Sequence, residues 1–131
     1  MKSVAIIVMM FFMVVSGCTE SESNELLVDL KDHNMKIVPE NPTSNDEIKL
    51  IIFDDCTYNV LSGVIRSDKT IDIQKQFNSM MKWPCVISND TISLGKLPEG
   101  KYIVNYKLVD IAPQTTNSTV LSFSFGLTVK N

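Results

Sequence analysis

The ten residues VLSFSFGLTV at 120–129 alternate almost without a break. Leu121, Phe123, Phe125, Leu127 and Val129 share one parity, and Ser122, Ser124, Gly126 and Thr128 share the other. A period of two sends these sets to opposite faces of a pleated strand, which a helix of 3.6 residues per turn cannot do. The same period recurs upstream. EIKLIIFD (47–54) sets Ile48, Leu50 and Ile52 against Lys49, Ile51 and Phe53. TIDIQKQF (70–77) sets Ile71, Ile73 and Phe77 against Asp72, Gln74 and Gln76, and Tyr102, Val104, Tyr106 and Leu108 share a face after a Pro98-Glu99-Gly100 turn. YNVLSGVIR (58–66) is β-rich and interrupted at Gly63, the mark of a bulge. TISL (91–94) reads as a short strand, and Met35 and Ile37 lead into a turn at Pro39 and Pro42. About seven short strands with turn residues between them, and no helical period after residue 35, predict an all-β domain over 35–131 built as one two-sheet sandwich.

The N-terminus obeys a different rule. Met1-Lys2-Ser3 precede twelve residues, Val4 to Val15, without a polar side chain. One positive charge ahead of about a dozen apolar residues has the build of an export signal, and it falls short of the about 20 residues that span a bilayer. The run ends Val15-Ser16-Gly17-Cys18, which resembles the bacterial lipobox. The resemblance implies a signal peptide over 1–17, cleavage between Gly17 and Cys18, and diacylglycerol on the Cys18 thiol. A thiol suits that role because its thiolate is a strong nucleophile. Several acyl chains would hold the protein durably, at about 0.8 kcal/mol per buried CH₂. The plainer alternatives are an ordinary export signal or an apolar core helix with a buried cysteine. The expected location is the cell envelope, lipid-anchored at the outer membrane, with display on the cell surface left open.

Residues 18–34 follow as a tether. From 19 to 34, Glu20, Glu22, Glu25, Asp29 and Asp32 face Lys31 alone, whereas 35–131 holds ten acids and ten bases. The acidity therefore belongs to the leash and the domain is neutral, which excludes the basic stripe of a nucleic-acid binder. Acidic residues just after Cys18 are similar to the surface-export signal of Bacteroidota lipoproteins; a solvated linker is the plainer reading. LLVDL (26–30) fits either a first strand laid on the domain or a turn of helix.

The stretch from Asp29-Leu30 through VPENPTSNDEIKL, with Asp46 ahead of an alternating strand, resembles the opening of bacterial immunoglobulin-like domains, in particular the cell-adhesion-related domain. LPEGKYIV is similar to the turn before a late strand in such sandwiches. The resemblance implies an immunoglobulin-like sandwich, and it brings no catalytic residues.

Catalysis finds little to work with. The single histidine, His33, sits in or beside the tether, Asp54 and Asp55 are adjacent and so face opposite ways in a strand, and no glycine-rich phosphate loop occurs. No enzyme activity, cofactor or metal is expected. Cys56 and Cys85 are read as a disulfide, as an even pair in an oxidising compartment most simply is; two buried free thiols or a metal site are the alternatives. SMMKWPC (79–85) is the most unusual loop. Met80, Met81 and Cys85 are soft donors that would suit Cu(I), although methionines also fill gaps. Trp83, with Tyr58, Met80 and Met81, is the candidate binding surface, set against the commoner fate of a lone tryptophan in a core. The expected role is a non-enzymatic adhesion, assembly or accessory module that contacts an envelope or surface protein. The alternative is a glycan-binding module of a polysaccharide-uptake system.

Overall fold

A computed structural model describes residues 26–114 and 116–131. The signal 1–17 and the attachment site, Gly17 and Cys18, lie outside the described residues. Strands form where the alternation predicts them: β1 (Met35–Val38), β2 (Ile48–Cys56), β3 (Val60–Ser67), β4 (Thr70–Phe77), β5 (Ile87–Gly95), β6 (Gly100–Asp110) and β7 (Ser118–Val129). They make a three-stranded sheet, β1-β2-β5, and a four-stranded sheet, β3-β4-β6-β7. The all-β sandwich is therefore the fold of this chain.

The inward parity is the predicted one. Ile48, Leu50 and Ile52 from β2, Ile71 and Ile73 from β4, Tyr102, Val104 and Tyr106 from β6 and Phe123, Phe125, Leu127 and Val129 from β7 are all buried in one cluster. A β-bulge interrupts the β3–β4 register between Leu61 and Gly63, as the glycine suggests. One pairing has no counterpart in the alternation. β4 lies parallel to β6, Thr70 opposite Ile103 through Phe77 opposite Asp110, whereas immunoglobulin sheets are antiparallel throughout. β2, β5 and β7 extend beyond the bounds read from the sequence. β5 begins at Ile87 rather than Thr91, because β2 continues to Cys56 and pairs with it.

At one end, Leu97 is buried and the Tyr102 hydroxyl donates to the Pro98 carbonyl at 2.7 Å. This is the geometry of a tyrosine corner, in which a strand-entry tyrosine pins the backbone a few residues upstream. Replacing Tyr102 by phenylalanine is expected to cost about 1 kcal/mol, read as a lower urea midpoint with an unchanged slope.

The segment 27–34 packs on the sandwich. Leu27 Cδ1 lies beside Gly126, the Val28 amide donates to the Ser124 carbonyl at 2.9 Å, and the His33 ring stacks on Phe123 with centroids 3.9 Å apart. Between them, Asp29 caps a 3₁₀ turn, Leu30–His33, by accepting from the Lys31 amide, and Asn34 closes it in the left-handed region. LLVDL is thus extended first and helical at its last residue. The contacts step along β7 from Gly126 to Phe123, so the chain enters from the Val129 end of that strand. With the backbone bridge between Thr43 and Lys130, this segment occupies part of the β7 edge, at Ser124 and just past Val129, that would otherwise invite pairing with another chain.

Candidate functional site at the disulfide-bonded end

At the opposite end of the sandwich the chain crosses between sheets twice, from β2 to β3 and from β4 to β5. Cys56 ends β2 and Cys85 lies just ahead of β5. They are joined by a disulfide, with Cα atoms 5.5 Å apart, and the Thr57 amide donates to the Val86 carbonyl at 3.0 Å. The cross-link ties both crossings together.

Just inside it lies a cluster of charge. Lys75 follows Ile71 and Ile73 on the inward parity of β4 and is fully buried. Its ammonium contacts Asp55 Oδ2 and lies 2.6 Å from Asp90 Oδ2. Asp55 reaches this position because β2 has a register irregularity between Ile52 and Asp55, with Asp54 at φ 52°. The extra residue leaves Asp54 exposed and turns Asp55 inward, and the strand runs on to Cys56. The far oxygen of Asp55, Oδ1, accepts from the Cys56 amide at 2.9 Å and from Asn59 Nδ2 at 2.7 Å. The Asp55 side chain is 9% exposed and that of Asp90 42%. A buried ammonium is tolerable only when paired, and here two carboxylates share it. Tyr106 borders the cluster; burial pushes its phenol well above the usual range, and the negative charges of Asp55 and Asp90 push the same way.

The loop 78–86 caps this end. It is held at its base where the Asp110 carboxylate accepts from the Ser79 amide at 3.1 Å and the Ala112 amide at 3.0 Å. Hydrogen bonds from Ser79 and the Ala112 amide hold the Asp110 carboxyl below its ordinary value despite its burial. Beyond that base the side chains face water. Trp83 is 69% exposed, and Met80, Met81, Val86 and Ile87 are exposed with it; Val60 and Leu61 add apolar surface from the start of β3. Tyr58 is half-buried. The ring pairs among the described residues involve His33, Tyr106, Phe123 and Phe125, and none includes Trp83.

The expected site residues therefore gather at one end, on the two segments joined by Cys56–Cys85. Trp83 is not a core residue. Copper ligation loses its thiolate, because Cys85 is committed to the disulfide. Sequence reasoning missed Lys75, Asp55 and Asp90. The signal was present for Lys75, a charged residue at the inward position of Ile71-x-Ile73-x-Lys75-x-Phe77. For the aspartates it was not, since only the bulge decides which of the Asp54-Asp55 pair turns inward. Comparison with protein-family models, with curated proteins and with solved structures returned no match.

Proposed function

We propose that this chain is a lipid-anchored protein of a bacterial cell envelope, attached through Cys18, whose sandwich works by contact as an adhesion, assembly or accessory module. The observation that carries the contact role is the set of exposed apolar side chains Met80, Met81 and Trp83 on the loop ahead of Cys85, with Val86 and Ile87 directly after it. Exposed apolar surface of this kind is characteristic of sites that bind other proteins. The loop lies at the end of the sandwich away from the point where the chain from residue 26 joins β7. An anchor at Cys18 would therefore leave the apolar end directed away from the lipid. The acidic residues Glu20, Glu22 and Glu25 add to that separation, since they have no attraction for anionic head groups.

Glycan binding is the second reading, supported by the exposure of Trp83. Trp83 stands between Lys82 and Pro84 with Met80, Met81 and Val86 exposed in the same loop, and no second ring pairs with it among the described residues, which favours a protein side-chain surface over a sugar.

Attachment is tested by metabolic labelling with an alkyne fatty acid and fractionation of the full chain. Label and membrane association are expected for the parent protein, and loss of both for Cys18→Ser. Equal membrane association of Cys18→Ser without label would sink the lipid anchor. Proteolysis of intact cells then separates the two faces: removal of the domain places it on the outer surface, and protection until the envelope is breached turns the search to periplasmic partners.

A further inference from the structure

Lys75, Asp55 and Asp90 form more than a buried ion pair. We propose that they are a self-processing site, in which Lys75 Nζ and the Asp55 side-chain carboxyl condense to an amide that joins β4 of one sheet to β2 of the other, with Asp90 moving the protons. The inference stands apart from the lipid anchor and from the contact surface.

Each part of the reaction has a group in place. Nζ contacts Asp55 Oδ2, one bond from the carbon it would attack, and the lysine that carries it is fully buried. Holding the two groups in contact removes most of the entropic barrier of a bimolecular condensation. In the first step one proton passes from Nζ to Oδ2, leaving an amine against a carboxylic acid. Attack of the nitrogen on Cγ forms the C–N bond and throws negative charge onto Oδ1. That oxygen already accepts from the Cys56 amide at 2.9 Å and Asn59 Nδ2 at 2.7 Å, two donors set where an oxyanion develops. Asp90, 2.6 Å from Nζ, takes the second proton from nitrogen and returns it to Oδ2. The Cγ–Oδ2 bond breaks, one water leaves and the Oδ1 carbonyl re-forms. Lysine ammonium plus carboxylate become amide plus water, and Asp90 ends as it began, so no oxidant or activating reagent is needed. The 42% exposure of the Asp90 side chain gives the departing water a way out.

The assignment also accounts for an unusual economy in the fold. A lone ion pair would be satisfied by one aspartate, whereas this one has a second carboxylate on the nitrogen and two donors on the far oxygen of the first.

Peptide mapping of the folded full chain by mass spectrometry tests it, after reduction of the disulfide and cleavage at lysine and arginine. The expected product joins residues 50–66 to residues 70–82, is lighter by one water than the two peptides together, and is uncut at Lys75. Asp55→Ala is expected to give no joined peptide. Asp90→Asn, at a half-exposed position, is expected to fold and to join roughly 100-fold more slowly. Separate peptides cleaved at Lys75, recovered from wild-type protein that unfolds cooperatively and carries the Cys56–Cys85 bond, would overturn the proposal. So would a lost water mapped to Asp90, or an Asp90→Asn chain that joins as fast as the parent.

Discussion

Lys75→Met is expected to destabilise the domain by about 3–5 kcal/mol from the loss of the ion pairs alone. The methionine stem fills the same space between the sheets, so the loss is electrostatic and not a cavity. What remains is the Asp55 carboxylate, 9% exposed and without its cation, beside Tyr106 and the apolar residues of β4. Where the Lys75–Asp55 amide has formed, its removal adds to that figure. Urea unfolding of parent and variant at neutral pH measures the difference. A change under about 1 kcal/mol would mean that water reaches the cluster and that the pairs behave as surface pairs do.

Reducing Cys56–Cys85 should have the second large effect. The bond closes a sequence separation of 29 residues, for which the chain-entropy argument gives roughly 3–4 kcal/mol. An amide already linking residues 55 and 75 would shorten the effective loop to about a dozen residues and bring the figure toward 3 kcal/mol. In a domain of this size that lowers the melting temperature by on the order of 15 °C. The effect should be local as well as global. Thr57 and Val86 share a backbone hydrogen bond beside the disulfide, and Trp83 is the single tryptophan of the chain. Reduction should therefore change the tryptophan emission and its quenching below the unfolding transition. Melting curves that coincide with and without reductant would contradict this.

The sandwich was legible because its strands alternate cleanly and one face of each is buried. β7 is the clearest case, where every apolar residue of one parity from Phe123 to Val129 is buried as the period requires. The neighbours of each strand were not legible. The parallel β4–β6 pair arises from the order in which the crossings stack, and no local signal in TIDIQKQF or KYIVNYKL records it. The apolar loop was readable from composition, and reading Cys56 and Cys85 as an even pair tied it to the end of β2, where the disulfide holds it. The charged cluster was half readable. Lys75 breaks an inward run of isoleucines and so announces a partner, but Asp55 is indistinguishable from Asp54 until a positive φ at Asp54 decides which faces in. Asp90 stands just outside the TISL strand read from the sequence, yet it pairs with Ile52, and Ser88 and Ile87 pair with β2 beyond the bulge. Bulges are cheap in sequence and decisive in side-chain direction.

Contact through the disulfide-bonded end is tested most directly with a photo-reactive amino acid at position 83 of the full chain, compared in intact cells with the same residue at position 107, an exposed site on β6. The expected result is a discrete protein adduct from position 83 that is absent from position 107 and is lost when Met81 and Ile87 are changed to serine. No adduct from position 83, or the same set of adducts from both positions, would contradict the assignment of that end as the working surface.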